Sequence, residues 1–218
     1  MIPHIENDSP TYRGTTTVGL LCKDAAILAT DNRVTAGHLY IAHKNGKKLI
    51  QIDDHFAMTI AGGVADAQNV VDIIRYHAGM YKLEQKRPLP IKAAARMTSN
   101  VFFSARLFPY IAQVLVCGYD STGPRLFDVD FFGSLNEEKY VSTGSGSPVA
   151  YGILESEFKD RMTTSKGVSV AARAIHAAIQ RNAGTGDGID VAIIDSNGFR
   201  ELTKAEKEKA LVRVPVRS

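Results

Sequence analysis

The stretch RGTTTVGLLCKDAAILATD, Arg13 to Asp31, holds two runs of strand-forming residues, Thr15 to Cys22 and Ala25 to Thr30, around the polar pair Lys23-Asp24. Two such runs with a two-residue polar break predict an antiparallel hairpin, so the chain opens on paired strands rather than on a strand that feeds a helix. The first strand begins with three consecutive hydroxyls behind a glycine, Gly14-Thr15-Thr16-Thr17. Taken alone, these threonines need no more explanation than β propensity.

The same pairing recurs downstream, where Leu49 to Ile52 and Phe56 to Ala61 flank Asp53-Asp54-His55 and Gly62-Gly63 ends the strand. From Ala65 to about Gln85 the apolar positions Val70, Ile73, Ile74, Met80 and Tyr81 fall at helical spacing, with Asp66 as the expected N-cap. Pro88 and Pro90 break that helix, and a second runs from Ile91 to about Leu107 before Pro109. Strands follow at Ile111 to Gly118, Arg125 to Asp130 and Tyr140 to Thr143, then helices from Pro148 to Glu157 and Val168 to Asn182. The end reads as a buried strand, Ile189 to Ile194, a short one at Phe199 to Leu202, and the capping box Thr203-x-x-Glu206 opening a charged helix. Strands and helices that come in groups argue for antiparallel sheets with helices packed outside, an α+β layered domain.

With 218 residues, 44% of them hydrophobic and 22% charged, the chain has enough apolar surface for one sizeable core. The polar first fourteen residues carry Pro3 and Pro10, lack the build of a secretory signal, and read as poorly ordered or removable. No apolar run approaches the ~20 residues of a bilayer helix, so no membrane partner is expected. Cys22 and Cys117 lie apart within apolar runs, as buried free thiols of a reducing cytosol do, and a cytoplasmic location is expected. A net charge of +3 comes from interspersed charges without a basic tract, which argues against nucleic acid. The local exception is His43-Lys44-Asn45-Gly46-Lys47-Lys48, either a solvated hairpin end or a lysine aimed at a site.

Threonine hydroxyl is a weak nucleophile that needs a base, and the nearest base available to a threonine is its own α-amine, with a pKa of roughly 8. For Thr15 that amine exists only after cleavage behind Gly14. A glycine there, lacking Cβ, allows a tight turn at the bond to be cut.

Five blocks accompany this motif: GTTTVG at Gly14 to Gly19, ATDNRVTAG at Ala29 to Gly37, GKKL at Gly46 to Leu49, TIAGGVADAQ at Thr59 to Gln68 and STGSGS at Ser142 to Ser147. In this order and spacing the chain resembles the β subunit of the archaeal-type 20S proteasome, a threonine peptidase of the N-terminal nucleophile hydrolase superfamily. The resemblance runs from Thr15 to about Leu202. It implies an α/β/β/α sandwich of two antiparallel sheets flanked by helices. Residues 1–14 would be a propeptide removed on maturation and residues 15–218 a single peptidase domain. It also implies partners: further β subunits in seven-membered rings, α subunits in outer rings, a regulatory ATPase acting through the α ring, and unfolded polypeptide substrates.

Carried over residue by residue, Thr15 matches the nucleophile, Asp31 and Lys48 the charged cluster beside it, and Ser145 the serine that lies against it. Gly62 matches the residue whose backbone N–H serves the oxyanion hole. Val34, Gly46, Ile50, Ile60 and Val64 match the specificity pocket, which lacks a carboxylate and should prefer a hydrophobic residue before the cleaved bond. Neither metal nor organic cofactor is required by this chemistry.

The sequence departs from the family at QRNAGTGDGIDV, Gln180 to Val191, where Asn182 and Thr185 replace the commonest aspartate and serine. Asn182 loses a negative charge and keeps a carbonyl acceptor, an expected cost on the order of 1 kcal/mol, or severalfold in rate. Restoring aspartate is therefore expected to help modestly. The competing reading is an unprocessed or weakly active structural ring subunit. The related bacterial threonine peptidase that works with a separate ATPase ring is disfavoured, because TDNR at Thr30 to Arg33 stands where that group shows a GDGQ-like block.

Overall fold

The computed structural model describes residues 14–36 and 40–212, so the leader apart from Gly14 lies outside the described residues. The opening hairpin forms as β1 (Thr17–Leu21) and β2 (Ala25–Asp31), antiparallel with Val18 opposite Ala29 and Leu20 opposite Ile27. Short strands β3 (Val34–Ala36) and β4 (Tyr40–His43) make a two-stranded ribbon beside it. Next come β5 (Leu49–Asp53), β6 (Phe56–Gly62), α1 (Val64–Gln85), α2 (Ile91–Ser104), β7 (Ala112–Asp120), β8 (Gly123–Val129), β9 (Leu135–Glu137) and β10 (Tyr140–Thr143). The chain continues through α3 (Ser147–Glu157), α4 (Thr164–Arg181), β11 (Ile189–Asp195), β12 (Gly198–Glu201) and α5 (Lys204–Val212).

The strands form two five-stranded antiparallel sheets, ordered β10-β1-β2-β11-β12 and β5-β6-β7-β8-β9. Strand side chains alternate between faces, which gives each sheet two apolar surfaces and the molecule three apolar layers. Leu28, Leu115, Leu126 and Ile194 fill the space between the sheets. Val18, Leu20, Ile27 and Val191 pack under α3 and α4, with Val170 and Ile175 facing them. On the far side, Phe56, Met58, Val116 and Phe127 meet Ile74 of α1 and Phe102 of α2. Each such side chain, fully buried, contributes about 1.5–3 kcal/mol of transfer free energy. The result is the four-layer α/β/β/α sandwich expected above.

Several boundaries differ. The α1 helix is capped by Gly63, and Asp66 sits inside its first turn, where the carboxylate accepts a hydrogen bond from the Ile111 N–H at 2.8 Å. Asp66 therefore ties the helix to the start of β7 instead of capping it. Small residues carry part of the buried face of α1, Ala67 and Ala78 with Val70, Val71 and Ile74, while Met80 is exposed. The α2 helix stops at Ser104, three residues before the expected end, and α4 begins at Thr164 behind its Thr163 cap. Thr203 and Glu206 form the reciprocal capping box. Both cysteines are buried free thiols, and burial pushes Cys22 up to about 12. Among the described residues, no helix is long and apolar enough to cross a membrane.

Candidate active site

Thr15 precedes β1 at the edge of the gap between the sheets, and pairing of β1 with both β2 and β10 fixes where it lies. The β2 partner brings Asp31, its last residue, under the start of β1. Asp31 is fully buried, and its carboxylate accepts from the backbone N–H groups of Thr16 at 2.8 Å, Arg33 at 3.1 Å and Gly186 at 3.0 Å. Its Oδ1 also takes the Lys48 ammonium at 2.8 Å. Four donors on one fully buried carboxylate occupy the lone pairs that solvent cannot reach. Lys48, side chain 5% exposed, is held below the ordinary lysine value by burial, against the opposing pull of Asp31.

Lys48 does more than pair with Asp31. Its Nζ donates to the carbonyl oxygen of Gly14 at 3.1 Å, and the Thr15 hydroxyl donates to that same oxygen at 2.5 Å. The oxygen of the peptide unit before Thr15 is thus gripped by a cation and by the neighbouring hydroxyl. Gly14 has no room for a side chain, since a Cβ would stand 2.5 Å from both the Gly184 carbonyl oxygen and the Thr35 hydroxyl.

The opposite side of Thr15 is uncharged. The β10 partner leads into Gly144 and Ser145, and the Thr15 N–H points at Ser145 Oγ, 3.5 Å away. Ser145 Oγ donates to Asn182 Oδ1 at 3.0 Å, and Asn182 Nδ2 donates to the Ser145 carbonyl at 3.1 Å. Thr185 Oγ1 donates to the same Oδ1 at 2.9 Å and meets Thr16 Oγ1 at 2.7 Å. Asn182 reaches this position because it terminates α4, its N–H closing onto the Ala178 carbonyl.

Two cavities flank Thr15. One, of about 710 Å³, is lined by Val34, Gly46, Ile60, Val64 and Ala65, with Lys44 and Lys47 among its polar wall residues. The other, of about 470 Å³, is predominantly apolar and lies against Ile111, Tyr110 and Phe131. Gly62 lines both cavities, at a φ of +109° where a Cβ would collide with the Ile111 carbonyl oxygen, so glycine is required there. No hydrogen bond runs from its amide to the Gly14 oxygen, which Lys48 and Thr15 occupy.

The structure therefore brings together Gly14, Thr15, Asp31, Lys48, Ser145, Asn182 and Thr185, with Gly62 on the shared cavity wall. Four of the five expected pocket residues line one cavity. Ile50 does not, because its side chain packs against the core between the β5 sheet and α1–α2. Sequence reasoning also missed a brace: Arg33 forms an ion pair with Asp187 at 2.9 Å and donates to the Ala183 carbonyl at 2.9 Å, clamping the loop that carries Thr185 and Gly186. Its only signal was a basic residue two positions after Asp31 and an aspartate among the glycines of GTGDG.

Comparison with known proteins agrees with this geometry. The family model described as proteasome subunit matches residues 11–194. Proteasome subunit beta 2 of Cenarchaeum symbiosum is 51% identical over 91% of this chain and 94% of its own, and that of Nitrosopumilus maritimus is 50% identical over 92% and 95%. Proteasome subunit beta of Methanocaldococcus vulcanius is 46% identical over 92% of this chain and 91% of its own. The chain belongs to the proteasome subunit family, among its archaeal β-type members.

Proposed function

We propose that this chain is a catalytic β subunit of a 20S core particle, made as a precursor and activated by cleavage between Gly14 and Thr15. The observation that carries the reading is the Gly14 carbonyl held between the Thr15 hydroxyl and the Lys48 ammonium. In maturation, Thr15 Oγ attacks the Gly14 carbonyl carbon, the Gly14–Thr15 C–N bond breaks to leave an ester and a free α-amine, and water hydrolyses the ester. Lys48 is placed to stabilise negative charge on the Gly14 oxygen as it develops.

In turnover, the freed amine takes the Thr15 hydroxyl proton as Oγ attacks a substrate carbonyl and later passes it to the leaving amine, after which water releases the acyl group. Lys48 favours this by keeping the amine neutral through like-charge repulsion, and its partner Asp31 keeps the lysine in place. The substrate oxyanion falls to the Gly62 N–H, on the cavity wall beside Thr15. Val34, Ile60 and Val64 favour a hydrophobic residue before the cleaved bond. The partners of the reading are α subunits, further β subunits and a regulatory ATPase that feeds unfolded chains; the chemistry needs no cofactor.

Co-assembly with an α subunit, followed by intact mass and a hydrophobic fluorogenic peptide, tests this. A particle whose β chain begins at Thr15 and cuts the peptide is the expected result. A retained leader without hydrolysis would leave a structural ring subunit.

A further inference from the structure

In the sequence Asn182 looks like a weakened aspartate, but the hydrogen bonds around it describe a different device. Its amide nitrogen donates to the Ser145 carbonyl at 3.1 Å, a bond that an ionised carboxylate has no hydrogen to make. The orientation of the amide follows, since only nitrogen can face that carbonyl. Oδ1 is then the acceptor for two hydroxyls, Ser145 at 3.0 Å and Thr185 at 2.9 Å. Thr185 has one hydrogen and gives it to Asn182, so at the 2.7 Å contact Thr16 is the donor.

We infer that Asn182 is a positioning residue that turns Ser145 into an acceptor for the Thr15 nitrogen and keeps the surroundings of that nitrogen free of an added anion. The Ser145 hydroxyl has two acceptors in reach, the Thr15 carbonyl at 3.4 Å and Asn182 Oδ1 at 3.0 Å; with its proton given to the nearer one, Oγ offers a lone pair to the Thr15 N–H at 3.5 Å. The inference rests on the catalytic reading above, because its consequence is for the amine that cleavage creates. Facing Thr15 are the ion pair of Asp31 and Lys48, the paired Arg33 and Asp187 beyond it, and His43, Lys44 and Lys47 on the larger cavity's wall. From the β10–α3 turn and the end of α4 come Ser145, Asn182 and Thr185, all neutral. An aspartate at 182 would put a negative charge two hydrogen bonds from the amine. At roughly 6 Å it stabilises the ammonium and raises the amine pKa by about one unit.

The test uses the assembled particle with wild type, Asn182→Asp and Asn182→Ala. For Asn182→Asp we expect leader loss slowed at least about fivefold, the acid limb of kcat/KM moved to higher pH by about one unit, and a lower melting temperature. Asn182→Ala should slow both steps without moving the limb. A merely structural role would lower the melting temperature and leave the pH profile in place, which overturns the inference. So would an Asn182→Asp particle that matures as fast as wild type with an unmoved limb. Should the wild-type particle keep its leader and cut nothing, the catalytic reading fails by itself; melting of Asn182→Asp at or above wild type then overturns the bonding scheme as well.

Discussion

On one side of Thr15 a single carboxylate is fixed by three backbone N–H groups and a buried ammonium; on the other, two hydroxyls and a carboxamide hold one another by side-chain bonds. The charged side is built into the sheet, because Asp31 ends β2 and Thr16 enters β1, so its geometry is settled by strand pairing. The neutral side depends on where a helix ends and how a loop turns. A charge held by backbone dipoles is costly to disturb, since removing its partner leaves an uncompensated ion. A neutral network loses its parts one bond at a time.

The largest expected effect comes from Thr15→Ala, which touches neither side. Leader loss and peptide hydrolysis should each fall by at least about a thousandfold, with the thermal midpoint nearly unchanged; appreciable hydrolysis would remove Thr15 from the chemistry. Next, Lys48→Met strips the ammonium from Asp31 and should cost about 3–5 kcal/mol of stability as well as activity, visible in denaturant melts of the assembled particle. A variant as stable as wild type would show that the backbone donors alone satisfy the carboxylate.

On the neutral side, Thr185→Val deletes the bonds to Thr16 and Asn182 at a fully buried position, and should cost about 1–3 kcal/mol with a severalfold loss of rate. If Lys48→Met and Thr185→Val proved equally damaging, the contrast between the two sides would fail.

The smallest effect comes from a carboxylate that lacks the donors Asp31 has. Asp128 is another inward carboxylate, with Oδ1 unpartnered, and burial, reinforced by Asp130 and Glu138, pushes it up from 3.8 to about 6. Because its folded value lies above the unfolded one, the penalty is absent below about pH 4 and complete above about pH 6. The full shift corresponds to roughly 3 kcal/mol, and discounted for the partial exposure of the group Asp128→Asn should stabilise the chain by about 1 kcal/mol at pH 7.5 and by nothing at pH 4. A gain independent of pH would point to packing rather than charge.

The strands and helices were legible because their apolar periodicity is local, and β10 falls on the predicted residues, Tyr140 to Thr143. The strands β3 and β9 were not, since three residues are too few for a period, nor was β4, whose pairing with β3 is tertiary. Asp66 failed as a cap for a related reason: a carboxylate near a helix start suits a cap on propensity, but its partner, the Ile111 N–H, lies just before β7, 45 positions away. At the site, the blocks around Thr15, Asp31, Lys48 and Ser145 could be picked out together, by their order and spacing, where each alone would have been weak. What could not was the wiring among Ser145, Asn182 and Thr185, because substitution by type says nothing of which lone pair meets which hydrogen. Ile50 went astray in the same way, since strand alternation turned it toward α1 and α2.

A new chain end ordinarily frays. Here Thr15 and Thr16 are already stitched to β2 and to the Gly144–Gly146 turn, with the Asp31 N–H on the Thr16 carbonyl at 3.2 Å and the Gly146 N–H on the Thr15 carbonyl at 3.4 Å. Cutting behind Gly14 would therefore subtract a segment without loosening what remains. Maturation as proposed would need no rearrangement: the working terminus would be finished before it is exposed, like a casting released from its sprue.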